Sequence, residues 1–140
     1  MKSRDSLIRI HRFQVDEKRR RVVQIETMIA DFDKKAVDLE NQIQAEQRKA
    51  GIDDVTHYAY PTFAKAAIAR RDNIKASITE LNGQLDEAKD ELSNAFSELK
   101  RLELIEEREM MKVKRAQMIR EQTGLDEAAL NLYRQNDLRR

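Results

Sequence analysis

Apolar residues recur at every seventh position along the first fifty residues of this chain. One column of the repeat is apolar throughout and comprises Ile8, Val15, Val22, Ile29, Ala36, Ile43 and Ala50. A second column, three residues further on, is apolar in its middle and polar near both ends: His11, Lys18, Ile25, Phe32, Leu39 and Glu46. A repeat of seven places two such columns on one side of an α-helix, and that side must be covered by another helix. The pattern therefore predicts a long helix that belongs to a coiled coil.

The repeat stops between Gly51 and Pro61 and then resumes. Glycine favours the end of a helix, and proline is tolerated in the first turn of the next one. The two columns of the second run comprise Ala64, Arg71, Ile78, Leu85, Leu92 and Leu99, and Ala67, Ile74, Leu81, Ala88, Ala95 and Leu102. We therefore predict two helical arms, about 3–50 and 62–122, joined by a turn at 51–61.

Two arms of similar length with a short connector favour a chain that folds back on itself. We predict an all-α fold, a long antiparallel two-helix coiled-coil hairpin over residues 1–123, with a short C-terminal helical tail over 124–140. Gly124 is expected to stop the second arm, and Asp126 to cap a short helix after it. The expected seam between the arms comprises Val22, Ile25, Ile29, Phe32, Leu39, Ile43, Ile74, Ile78, Leu81, Leu85, Leu92, Leu99 and Leu102.

The register of such a pair is described by one number, because the residue numbers of facing seam positions add to a constant. The turn permits sums of 110 and 117. A sum of 117 places Arg71 opposite Glu46, whereas 110 places it opposite Leu39. A charge held against an apolar partner is costly, so 117 is the predicted register. Contacts that cluster on another sum would show this prediction to be wrong.

Composition argues against an active site. Charged side chains make up 38% of the chain and aromatic ones 5%, so most side chains must stay in water. His11 and His57 have no companion at metal-ligand spacing, there is no cysteine, and the three glycines form no phosphate loop. Acid–base catalysis needs a dry concave pocket, which two helices do not build. We therefore predict no enzyme activity, no catalytic, metal or cofactor site, and no small-molecule substrate.

Basic residues gather towards both ends of the chain. Residues 1–22 carry eight Lys or Arg against three acidic residues, and residues 112–140 carry seven against four. The run Lys18 to Arg21 could suggest a nucleic-acid contact, but the net charge is only +1 and no stacking aromatics accompany it, so we predict no nucleic-acid partner. The N-terminal segment lacks the apolar run of a signal peptide, and the absence of cysteine fits a reducing compartment, so we expect a cytoplasmic protein.

Some apolar residues lie off the predicted seam and are candidate partner contacts: Ile10, Phe13, Leu104, Met111 and Met118. Exposed apolar stripes with a basic border are typical of protein interfaces. An alternative is a register shift near Leu102 that turns some of these residues inward, although Met118 lies beyond the paired arms.

Aromatic residues concentrate around the turn of a chain that has few of them. They are Tyr58, Tyr60 and Phe63. Two interpretations stay open: these side chains form a plug that closes the tip of the hairpin, or they form a docking surface for a partner.

Three segments carry a resemblance to a known family. They are RFQVDEKRR at 12–20, AYPTFAKAA at 59–67 and RRDN at 70–73. With these segments, a length near 140 and an unbroken hairpin pattern, the chain resembles the FliJ family of the bacterial flagellar type III export apparatus over roughly residues 5–120.

The resemblance implies a non-catalytic stalk and adaptor. Such a protein would couple the hexameric export ATPase to the membrane export gate and to the export chaperones, with both termini facing the ATPase and the turn nearer the gate. It would be monomeric when isolated and peripherally associated with the inner membrane. Two alternatives remain, an injectisome counterpart and a generic cytosolic coiled-coil scaffold or homodimerising module.

Overall fold

Two long helices account for nearly all of the structure. The computed structural model describes residues 2–139, with side chains from residue 3 onward. Helix α1 spans Lys2–Ala50 and helix α2 spans Thr62–Leu138, and the described residues contain no strand. The predicted all-α helical hairpin is confirmed.

The ends of the helices at the turn follow from Gly51 and Pro61. The Gly51 N–H donates to the Gln47 carbonyl at 2.9 Å, and Gly51 adopts a left-handed φ of 69°, which ends α1. Pro61 immediately precedes α2, and its carbonyl accepts from the Lys65 N–H at 3.1 Å. This bond is the first i to i+4 bond of the second helix.

One compact unit of the chain is His11–Phe96. Here residues 11–50 of α1 pack against residues 62–96 of α2. The core cluster of this unit consists of the buried Val22, Ile25, Leu81 and Ala88, against which Ile29, Phe32, Leu85 and Leu92 pack. Large side chains of one helix therefore pack against both small and large side chains of the other helix, as in coiled coils.

The other unit combines Met1–Ile10 with Ser97–Arg140. Among its described residues the buried side chains are Ile8, Leu99 and Leu102, and an ion pair joins Arg4 to Glu106 at 3.2 Å. From residue 107 to residue 139 every described residue is exposed except the half-buried Ala116. We call residues 107–138 the single-helix segment of α2.

The predicted register is wrong, and the alternative register is the observed one. Three ion pairs between α1 and α2 define it among the described residues: Arg4–Glu106 at 3.2 Å, Lys18–Glu91 at 2.9 Å and Glu40–Arg71 at 2.6 Å. The residue numbers of these pairs add to 110, 109 and 111. All three sums lie within one of 110, which is one heptad away from the predicted 117.

The side chain of Arg71 explains why the predicted register is wrong. It is only 21% exposed, yet the guanidinium reaches outward to Glu40 at 2.6 Å and to Asp72 at 3.1 Å. The hydrogen bond to Glu40, followed by the one to Asp72, raises the pKa of Arg71 above its ordinary value. The aliphatic part of the Arg71 side chain thus lies near the seam, and its guanidinium is paired with carboxylates at the edge of the seam. Glu46 is half-exposed and needs no cation opposite it.

The predicted break at Gly124 is also wrong. Helix α2 continues through this residue to Leu138, so the second helix does not stop near 122. Gly51 has positive φ, whereas Gly124 does not, and only the left-handed conformation ends a helix in the predicted manner. A glycine with helical dihedrals weakens a helix by about 1 kcal/mol without ending it. Whether residues 124–140 act as a separate unit stays a prediction.

Candidate partner-binding surfaces

An exposed apolar stripe runs along α2 in the unit that holds the single-helix segment. Its members are seven residues apart and are between 49% and 67% exposed: Leu104, Met111, Met118, Leu125 and Leu132. The first three were predicted from the sequence to contact a partner. Leu125 and Leu132 were missed as members of the stripe because the helix was expected to stop at Gly124. Their heptad spacing from Met118 was the signal that could have found them.

The stripe begins beside a shallow surface depression of about 450 Å³. Six residues line it: Leu104, Glu107, Arg108, Met111, Lys112 and Arg115. All of them belong to α2, so the depression lies on the face of one helix. Its floor is apolar at Leu104 and Met111, and three cations and one carboxylate border it.

The alternative for this stripe was a register shift near Leu102 that turns some of its residues inward, and the structure does not show such a shift. Leu104 and Met111 are exposed, whereas the neighbouring Ile105 is half-buried. The buried side of α2 at this level carries Leu99 and Leu102. The stripe and the seam therefore lie on different faces of the helix.

The two candidate contacts on α1 are also exposed, each within its own unit. Ile10 is exposed in the unit that contains the single-helix segment, where Leu7 is exposed as well and was not predicted. Phe13 is exposed in the unit His11–Phe96. Both predicted residues thus present apolar surface to solvent.

The turn separates its tyrosines into two different environments. Tyr60 is only 4% exposed, and its phenolic oxygen accepts a hydrogen bond from Gln47 Nε2 at 2.9 Å. Tyr58 is 95% exposed, and Phe63 is also exposed. Burial of Tyr60 therefore agrees with the plug interpretation of this residue and disagrees with the alternative, in which it is a partner contact. Tyr58 and Phe63 remain candidates for contact with a partner.

The turn around Tyr58 contains one ring contact and several local hydrogen bonds. The His57 ring stacks on Tyr58 with centroids 4.7 Å apart, and His57 Nδ1 accepts the Ala59 N–H at 3.1 Å. The Asp54 carboxylate accepts the Thr56 hydroxyl at 2.7 Å and the Thr56 N–H at 3.0 Å. These two bonds, the hydroxyl one first, lower the pKa of Asp54. The turn therefore combines local hydrogen bonds with an exposed aromatic ring at Tyr58.

A second shallow groove, of about 460 Å³, lies between the helices in the unit His11–Phe96. Its lining combines apolar and polar side chains: Lys35, Asp38, Leu39, Gln42, Arg70, Asn73 and Ile74. Leu39 and Ile74 were predicted as seam residues. The other predicted seam residues are likewise buried or half-buried: Val22, Ile25, Ile29, Phe32, Ile43, Ile78, Leu81, Leu85, Leu92, Leu99 and Leu102.

The described residues contain no group of three or more His, Asp or Glu side chains arranged to hold a metal ion. Neither helix, over the same residues, has a stretch long and apolar enough to cross a lipid bilayer.

Comparison with known proteins gives one match. A family model described as "Flagellar FliJ protein" matches residues 1–138 of the chain. No curated protein and no solved structure matches the chain.

Proposed function

The chain belongs to the FliJ family, a family of flagellar protein export components, and from that premise we propose that it is a stalk and adaptor which couples the export ATPase to the export gate and the export chaperones. The observation that supports this proposal is the apolar stripe of α2, from Leu104 to Leu132, whose side chains are exposed in the structure. A surface of this kind gains most from burial against another protein.

In this proposal the protein is not an enzyme. ATP hydrolysis takes place in the hexameric ATPase, and the hairpin transmits its conformational state. Both surface depressions are open and shallow, whereas catalytic sites usually exclude water. No cofactor and no small-molecule substrate enter the proposal.

The ATPase-facing surface is proposed to be the stripe with its basic border. Leu104, Met111 and Met118 supply apolar area, and Arg108, Lys112 and Arg115 supply positive charge. Positive charge speeds and orients encounter with an acidic surface, and salt weakens this effect. Ile10 is exposed in the same unit and is proposed as a further apolar contact.

The gate-facing surface is proposed to be the turn. Tyr58 and Phe63 are exposed there, and the turn's hydrogen bonds hold the backbone beside Tyr58. Tyrosine is enriched among the residues that contribute most to binding at protein interfaces, which favours Tyr58 as an anchor. Contact with the gate would make a cytoplasmic protein peripherally associated with the inner membrane.

A pull-down from the native cytosol tests the proposal. The full chain is the bait, and mass spectrometry asks whether the export ATPase and the export chaperones are retained. The matched control bait is the variant Met111→Asp with Met118→Asp, which keeps the seam and loses the stripe. Retention of the ATPase by the unsubstituted bait alone supports the proposal, and failure of that bait to retain it contradicts the proposal.

Homodimerisation is the second candidate function, because an exposed heptad stripe can pair with a second copy. Light scattering separates the two candidates. A stalk and adaptor is expected to be monomeric when isolated, whereas a homodimerising module doubles its mass.

A further inference from the structure

We propose that residues 104–132 of α2 bind one α-helix of a partner by knobs-into-holes packing, and that this partner helix carries acidic residues beside its own apolar stripe. The inference rests on the proposed function in one respect, namely that the partner belongs to the export machinery. The geometry and the charge of the binding surface are observations on α2 itself.

The spacing of the stripe points to a helix as the occupant. Five apolar residues follow one another at intervals of seven from Leu104 to Leu132, a distance of about 42 Å along the axis. In a straight α-helix such a row drifts by about 20° per heptad. A partner helix that supercoils around α2 follows this drift, whereas a globular surface would meet only part of the row.

The depression beside the stripe has the form of the holes that coiled coils use. A hole is bounded by four residues at i, i+3, i+4 and i+7 of one helix. Leu104, Glu107, Arg108 and Met111 have this spacing and line the depression. Arg108, Met111, Lys112 and Arg115 bound the next hole along the helix. The surface therefore offers two adjacent holes for apolar side chains of a partner helix.

The positive charge around these holes favours an acidic partner helix. Arg108, Lys112 and Arg115 contribute three positive charges against one negative charge from Glu107. These three cations form no ion pair with any described residue. A partner helix with Glu or Asp beside its apolar stripe would pair with them. A second copy would instead bring the same three cations, and like charges across a helix interface are unfavourable.

A synthetic peptide tests this inference with the full chain. The probe is a four-heptad helical peptide with Leu at its core positions and Glu at the flanking positions, and the matched peptide carries Lys in place of each Glu. Fluorescence anisotropy of labelled peptide measures affinity at several salt concentrations. We expect the Glu peptide to bind at least about tenfold more tightly than the Lys peptide at low salt, with the difference shrinking as salt rises.

Two sets of variants place the binding on the stripe. Met111→Asp with Met118→Asp should abolish binding of the Glu peptide, whereas Val113→Asp, an exposed apolar residue of the same segment outside the stripe, should retain it. Arg108→Glu with Lys112→Glu and Arg115→Glu should reverse the preference, so that the Lys peptide binds more tightly. Circular dichroism checks that every variant keeps its helical content.

Three results would overturn the inference: no binding of the Glu peptide by the folded chain, an unchanged preference in the charge-reversed variant, or a stripe-dependent dimer that forms without peptide. Each can occur while the pull-down still retains the export ATPase, so the proposed function would then survive. Conversely, peptide binding without retention of the ATPase would contradict the proposed function and leave the helix-binding surface standing.

Discussion

Tyr58 and Tyr60 are two residues apart in the turn and differ in almost every physical respect. Tyr60 is buried and bonded to Gln47, whereas Tyr58 is nearly fully exposed. The sequence indicated an aromatic cluster at the turn, but it could not divide the cluster between plug and surface. That division depends on where the backbone turns, and hydrogen bonds within the loop determine this.

The free energy of unfolding should respond to these tyrosines unequally. Tyr60→Ser removes a buried ring and the hydrogen bond from Gln47, and we expect a loss of about 2 to 4 kcal/mol. Tyr58→Ser should change the free energy by less than about 0.5 kcal/mol. Urea unfolding followed by circular dichroism measures both values. Equal losses in the two variants would mean that the turn is packed differently.

Asp54 gives a pH-dependent prediction at the same scale. Its pKa lies below the ordinary value of 3.8, mainly because the Thr56 hydroxyl donates to the carboxylate. A lowered pKa means that the contribution to stability is present above the unfolded pKa and is lost as the pH falls through the folded pKa. Thr56→Val should therefore raise the pKa of Asp54 towards 3.8. Side-chain carboxyl NMR measures this pKa, and no change in the variant would contradict the assigned cause.

At the scale of helices, the seam could be predicted from the sequence and the register could not. Burial of one face of each helix imposes a seven-residue repeat on the apolar residues. This repeat identified Val22, Ile25 and Leu81 as core positions. The two candidate registers differ by one heptad, which leaves apolar columns facing apolar columns in both. The choice depends on how long side chains such as Arg71 reach a carboxylate outside the column, and periodicity contains no information on that.

The seam itself is tested on α1 by a matched pair of truncations. Ile25 is 1% exposed in the core cluster, so Ile25→Ala should lower the free energy of unfolding by about 2 to 4 kcal/mol. Val23, which is exposed on the same helix, should tolerate the change to Ala with a loss below about 0.5 kcal/mol. Comparable losses at both positions, measured by denaturant unfolding, would mean that the buried face of α1 is misplaced.

Because α2 continues through Gly124, alanine substitutions at Gly124 and at Gly51 should have opposite effects on stability. An added Cβ at Gly124 meets no atom within 4 Å and the residue has no positive φ, so Gly124→Ala should stabilise the local helix by about 1 kcal/mol. Gly51→Ala should destabilise the hairpin because φ at Gly51 is 69°. Amide hydrogen exchange around residue 124 reports the first effect. Unchanged protection there in Gly124→Ala would indicate that the helix stops near this glycine.

At the scale of the whole molecule, family membership and surface chemistry support the same account. The family match covers residues 1–138 and places the protein in flagellar export. The basic C-terminal portion was visible in the sequence, but its apolar stripe extends further than predicted because α2 does not stop at Gly124. Which partner binds which surface could not be derived from the sequence, since a heptad stripe specifies a helix-compatible surface and no partner identity.

We propose that the stripe of α2 binds the export ATPase, and isothermal titration calorimetry with the purified ATPase tests this binding. Met111→Asp with Met118→Asp places two charges in the proposed interface and should weaken binding by about 100-fold or more. Val113→Asp, also in the single-helix segment, should bind within a few-fold of the unsubstituted chain, and circular dichroism should show that both variants stay helical. Undiminished affinity of the folded double variant would contradict the account and place the ATPase interface elsewhere on the hairpin.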